Sequence, residues 1–260
     1  MKLAALLILF TTVTATAHAQ TPTHVSAPNA AAQQRFVFAH YMVTNEDYQD
    51  DSDPTQEKKI LSYEREIQQA QSMGIDGFAL NVGGWFREPY YIRYTAQIFE
   101  AAYRLNSGFK LMFSADMCCG NQMEDVEDMM RRYAGNPRYK DIYFQRNGKF
   151  VLTTFAGDQL GPAAWVKMRI DLLRGTNPST KVLPDVLAPA GAAPSNAPLR
   201  TFFVPAFFWG GETPNQADVE AGLATWAPAI DGAFYWGIAG VPGEPSLDIQ
   251  QSSLAYAHAL

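Results

Sequence analysis

Apolar and polar positions along the chain sort into two alternating kinds of block. Short apolar runs bordered by glycine or charge recur at residues 35–43, 75–82, 110–116, 150–155, 201–208 and 231–237. Runs of this length with such borders predict buried strands. Between them lie longer amphipathic stretches. Residues 57–73 carry Ile60, Ile67 and Ala70 on one stripe at helical spacing, and Gly74 fits a C-terminal stop. Further helices are predicted over 90–105, 123–133, 161–175, 215–226 and 247–259. The 123–133 stretch has its acids in the first half and Arg131 and Arg132 in the last turn, which complements a helix dipole. Asn147-Gly148, between apolar runs at 142–145 and 150–155, predicts a tight hairpin, because both turn residues must take positive φ. Pro205 argues against a central place for the 201–208 strand.

Strand followed by helix, about six times over, predicts an α/β fold with parallel strands and right-handed crossovers. A doubly wound sheet and a (β/α)8 barrel both fit the alternation. The barrel is favoured, because a polar or aromatic group follows nearly every strand, as a ring of loops requires. Six units leave it incomplete by two. The groups at these strand ends are His40, Asn81, Asp116, Asp158, Trp209 and Trp236, with Trp85 just beyond the second strand. Asp116 and Asp158 suit an acid, a base or a ligand, and each equally suits a cap for the segment that follows. The tryptophans, beside glycines, suit stacking on sugar rings or plain core packing. Asp76 and Asp231 begin their strands and read as structural.

The ends and the composition narrow the picture. Lys2, the apolar stretch 3–10 and Ala17-His18-Ala19 have the mechanics of a signal peptide over residues 1–19. Residues 20–34, rich in Thr, Pro, Ala and Asn, read as a flexible lead-in, which leaves 35–260 as the folded domain. Secretion to the exterior or the periplasm is therefore expected. No later stretch reaches the roughly eighteen uninterrupted apolar residues of a membrane span. The net charge of −6, with no basic cluster, disfavours a nucleic-acid partner. The acidic stretch 45–56 reads as a solvated loop and lacks the spacing of a calcium hand. The two cysteines, Cys118 and Cys119, are adjacent and lack zinc-site spacing, leaving a vicinal disulfide or a reduced pair open.

Several stretches resemble glycoside hydrolase family 71, the α-1,3-glucanases or mutanases. They are Phe38-Ala39-His40-Tyr41-Met42-Val43, Gly74-Ile75-Asp76-Gly77-Phe78-Ala79-Leu80-Asn81 and Phe113-Ser114-Ala115-Asp116-Met117. The run from Tyr143 to Lys149 leading into Thr153-Thr154-Phe155-Ala156-Gly157 is similar too, as are Phe203-Val204-Pro205 and the run from Asp231 to Trp236. Gly-Ile-Asp-Gly-Phe also occurs in endo-mannosidase-like barrels. The resemblance implies a (β/α)8 barrel that hydrolyses α-1,3-glucan with inversion, using two carboxylates, no metal and no cofactor. It further implies a monomer whose partner is the polysaccharide. A late Trp-Asn-Asp…Gly-Glu segment that supplies the family's carboxylates is absent here, so a C-terminally truncated member is expected. Asp116 and Asp158 are then the catalytic candidates left in the chain, read first as residues of the substrate cleft and as the acid–base pair only if the chain is a complete, smaller barrel; His40, Asn81, Trp85, Trp209 and Trp236 are the substrate-binding ones. The alternatives are a non-catalytic glucan-binding remnant and another barrel glycosidase of the endo-mannosidase kind.

Overall fold

Six strands run parallel and pair in the order in which they occur along the chain. A computed structural model describes residues 35–44, 56–176, 194–207 and 216–235. In it β1 (Phe38–Met42), β2 (Gly77–Val82), β3 (Lys110–Asp116), β5 (Lys149–Phe155), β6 (Thr201–Phe207) and β7 (Phe234–Tyr235) lie side by side in sequence. The short β4 (Gln145–Arg146) pairs antiparallel with β5 through Asn147 and Gly148, both at positive φ, as the hairpin signal requires. Helices α1 (Glu57–Ser72), α2 (Pro89–Leu105), α3 (Met123–Tyr133), α4 (Pro162–Arg174) and α5 (Gln216–Trp226) fill the crossovers. A doubly wound sheet reverses its strand order at a switch point, and this one does not. Its order is that of a (β/α) barrel, and crossovers of one hand place the helices on one face. Among the described residues β1 and β7 do not pair, so the barrel is not closed.

Strand alternation then divides the residues between two faces. The helix side takes Phe78, Leu80, Phe113, Leu152 and Phe203, all within the main core. Tyr41 stacks on Phe78 at 4.5 Å, Phe99 of α2 approaches Phe113, and Trp165 of α4 stacks on Phe203 at 4.5 Å. The other side takes Ala79, Asn81, Ser114, Asp116 and Thr153 by the same alternation. Its lower end is plugged by rings, with Phe38 4.6 Å and Phe36 5.0 Å from Phe144. Gly77 makes room for that plug. A Cβ there would lie 2.4 Å from both the Lys110 carbonyl oxygen and the Phe38 ring.

Two aspartates pin strand starts to their neighbours. Asp76 accepts from the Val37 amide at 2.7 Å and donates its own amide to the Val37 carbonyl at 2.8 Å. Asp231 accepts from the Phe203 amide at 3.0 Å and from Lys149 at 2.9 Å, and its amide donates to the Phe203 carbonyl at 2.8 Å. Arg169 adds a second ion pair at 2.5 Å. Burial alone would raise the Asp231 carboxyl, but Lys149, the Phe203 amide and Arg169 outweigh it and hold it below the usual range. Both acids are structural, as their position at strand starts predicts.

One expectation needs correction. The Pro205-containing strand is interior, flanked by β5 and β7. The ladder from β6 to β7 begins only at Ala206, so Pro205 sits on a stretch paired on one side, where its missing N–H is tolerated. The leader 1–19, the lead-in 20–34, the acidic loop except Gln56, and the helix expected at 247–259 lie outside the described residues.

Candidate active site

Strands β1, β2, β3 and β5 bring the predicted groups together at one end of the sheet. Register puts Met42 opposite Asn81, Asn81 opposite Ser114, and Ser114 opposite Thr153, while Asp116 aligns with Phe155 one step further on. Asn81, Ser114 and Thr153 therefore form a row across three neighbouring strands, about 4.8 Å apart from strand to strand. All three are buried. Among the described residues their oxygens, Asn81 Oδ1, Ser114 Oγ and Thr153 Oγ1, have no hydrogen-bond partner. Buried polar atoms nearly always have partners, so a row of three marks a place built for something polar.

Asp116 stands at the upper edge of this row and is 7% exposed. Asn81 Nδ2 donates to one carboxylate oxygen at 3.4 Å, and the Cys118 amide donates to the other at 3.1 Å. The chain beyond it is tied across to the next strand, where the Met117 amide donates to the Phe155 carbonyl at 3.0 Å. That tie carries the β3 turn to the end of β5. There Ala156 adopts φ 52°, a left-handed conformation uncommon for a residue with a Cβ, before a 3-10 turn at Gly157–Gln159. Asp158 lies on this turn, half-buried. A cavity of about 450 Å³ is lined by Cys118, Phe155, Ala156, Asp158 and Gln159. Asp116 and Asp158 thus belong to adjacent strand ends.

His40 lies on β1 opposite Ala79. Its residue surface remains exposed, yet neighbouring atoms strip enough water from the imidazole to lower it to about 4, against the opposite pull of Asp116. The ring is therefore neutral at ordinary pH, able both to donate and to accept.

The chain after β2 contributes groups that the spacing of strands did not reveal. Glu88-Pro89-Tyr90-Tyr91 opens α2, with proline in its first turn. Tyr90 and Tyr91 lie 4.8 Å apart, and Tyr90 is exposed while its hydroxyl donates to Glu88. Burial raises the Tyr91 hydroxyl, a hydrogen bond with Thr44 works against this, and the charges of Glu88, Cys119 and Asp116 add to the rise. Tyr91 is thus a neighbour of the Asp116 turn. An aromatic pair directly after a helix-starting proline was the signal in the sequence.

Other predicted groups fall elsewhere. Trp85 is fully buried, its indole N–H donating to Asp128 at 2.8 Å and its ring edge-on to Phe113 and Tyr133. A ring with no open face is no sugar platform; Trp85 is a core residue of the helix layer. Trp209 and Trp236 lie outside the described residues. Two outer depressions of about 470 and 630 Å³ share Val166, Ile170 and Pro228, and neither includes Asp116 or Asp158.

Cys118 and Cys119 are both exposed and carry free thiols. Burial of its sulfur, together with Cys119 and Asp116, pushes the Cys118 thiol up to about 12. Among the described residues no helix is long and apolar enough to cross a membrane.

Comparison with known proteins identifies the family. A glucan endo-1,3-alpha-glucosidase of Schizosaccharomyces pombe is 29% identical over 201 residues, covering 76% of this chain and 40% of the relative. A mutanase of Penicillium rubens is 32% identical over 133 residues, covering 50% of this chain and 26% of the relative. The chain thus spans well under half the length of these two relatives. Among solved structures, an endo-alpha-mannosidase of family GH99 from Bacteroides thetaiotaomicron matches with a TM-score of 0.40 at 12% identity, covering 68% of this chain and 43% of that one. The family model for glycosyl hydrolase family 71 matches residues 33–238, and the chain belongs to that family.

Proposed function

We propose that the protein is an exported glycoside hydrolase that acts on α-1,3-glucan with inversion. The observation that carries the reading is the row beneath Asp116 formed by Asn81, Ser114 and Thr153, three residues whose buried oxygens lack partners among the described residues. Hydroxyl groups of a sugar can supply both donors and acceptors to such a row, and burial makes each bond formed there worth more than in water. Neutral His40 and the exposed Tyr90 would flank the same polysaccharide. Family membership and the names of both relatives support glucan as the substrate class. The leader-like residues 1–19 support export.

Inversion calls for an acid and a base about 6.5–9.5 Å apart, with a water between them and the sugar. Asp116 and Asp158, on neighbouring strand ends, are the carboxylates of the described residues proposed for these roles. In this reading Asp116, accepting from Asn81 and the Cys118 amide, is the base. Asp158, on the turn lining the cavity, is the second.

A second reading is favoured by one observation: among the described residues β1 and β7 do not pair. In it the chain binds glucan and does not cleave it. Incubating the purified chain with α-1,3-glucan separates the two. Released reducing ends that appear first in the β configuration, and that vanish in Asp116→Asn, are expected for the hydrolase. Retained binding without products leaves the binding module. Neither products nor binding would sink both.

A further inference from the structure

The turn that leaves β3 presents two sulfurs beside a carboxylate. The Sγ atoms of Cys118 and Cys119 are 3.2 Å apart and unbonded. With a carboxylate oxygen of Asp116 they form a set whose donor atoms all lie within 4.8 Å of one another. Donors around a tetrahedral zinc-like ion, with metal–sulfur near 2.3 Å and metal–oxygen near 2.1 Å, lie roughly 3.5–3.8 Å apart. To reach such a triangle the two sulfurs must part by about half an ångström and the longest separation must close by up to about 1.2 Å, which side-chain rotation of the exposed cysteines can supply.

The turn is held in a way that favours this. The Cys118 amide is bound to Asp116 at 3.1 Å, and Arg87 Nη2 donates to the Cys119 carbonyl at 2.8 Å. Gly120 takes φ 96°, where a side chain would be strained and would also strike the Arg87 guanidinium, at 2.5 Å. At Gly83 a Cβ would come within 2.9 Å of the Cys119 Cβ, so glycine leaves that side chain room. The backbone under both thiols is thus clamped, while both cysteine residues remain exposed, which gives an ion a path in.

We propose that Asp116, Cys118 and Cys119 form a binding site for one thiophilic d10 cation, of the Zn²⁺ or Cd²⁺ class. Two sulfurs select this class over calcium or magnesium, which take all-oxygen sites. Three protein donors leave a fourth position for water or for an oxygen of a cleft ligand. The ion is held by replacement of the thiol protons, so no oxidant or reductant is needed. The site shares Asp116 with the glucan reading, so an ion bound there would occupy that carboxylate; its test reads sulfur ligation and does not depend on hydrolysis.

The test is a titration of the full, reduced chain with Cd²⁺, after thiol titration has confirmed two free sulfhydryls. The thiolate-to-cadmium charge-transfer band in the ultraviolet reports sulfur ligation directly, and native mass spectrometry reports stoichiometry. One ion per chain is expected, with the band lost in Cys118→Ser and weakened in Cys119→Ser. Asp116→Asn should keep the band but weaken binding by about tenfold or more. Thermal melting of each variant checks that the fold survives. The absence of a band in the reduced parent chain, or a band unchanged in either serine variant, overturns the site. Unchanged affinity in Asp116→Asn removes the carboxylate and overturns the three-donor assignment.

Discussion

His40 shows how a single side chain reports on the cleft. Its imidazole falls to about 4 because crowding removes water from the charged form, and the Asp116 charge only partly offsets this. A base depressed in the folded state contributes stability above its ordinary value near 6.5, and that contribution is lost as pH falls toward 4. An imidazole proton resonance that is absent in His40→Gln should therefore titrate near 4; a midpoint near 6.5 would remove His40 from the crowded cleft. Trp85 teaches the opposite lesson. After Gly83-Gly84 it has the local look of a loop tryptophan, yet its indole reaches Asp128, 43 residues later, and is buried in the helix layer. Such a contact has no trace in the nearby sequence. Trp85→Phe should lower stability by about 1–2 kcal/mol through the lost hydrogen bond, with glucan affinity unchanged. Weakened binding with unchanged stability would restore the platform reading.

At the scale of elements, much was written in the chain. The run from Gly108 into Lys110–Asp116 becomes β3, because Leu111, Phe113 and Ala115 fall on one fully buried face by strand alternation. Tyr90 and Tyr91 open α2, where helical spacing speaks for packing and only their place after Pro89 marks them as rim residues. Side-chain partners between helices were hidden. Arg131 of α3 donates to the Asp171 carbonyl at 3.0 Å and to the Thr176 carbonyl, capping the end of α4. Beside it Glu127 rises to about 7, first from burial and then from the charge of Asp171, with Arg131 and Lys167 opposing. An acid raised in the folded state is held protonated there, so its contribution is full below the usual carboxylate range and is lost as pH rises through about 7. Thermal melting from pH 5 to 8 should show a decline of about 1–2 kcal/mol that Glu127→Gln abolishes. Equal slopes in the two proteins would refute it. Asp231 is the larger case. Removing it in Asp231→Ala leaves Lys149, Arg169 and the Phe203 amide without their acceptor, and denaturant unfolding should register a loss of about 2–4 kcal/mol.

For the whole molecule, the open sheet sets the properties. The edge formed by β1 carries Val37 at 56%, Met42 at 51% and Phe36 at 40% exposure. Among the described residues this edge has no strand partner, and such an edge with apolar groups invites another chain. Val37→Lys should reduce concentration-dependent light scattering without lowering the melting temperature; unchanged scattering would show that this edge is not the adhesive one. The pins at the other end have a different consequence. Asp76 and Asp231 lock each strand start to the backbone before it, and Gly77 leaves no space for a side chain there. Alignment of the strands is therefore decided at the end remote from the cleft. The loops that follow the strands are freed from that duty and can drift in length and composition while the frame stays in step. Such a division lets an ancestral scaffold acquire new sugar preferences through its rim, one loop at a time, without having to solve the folding problem again.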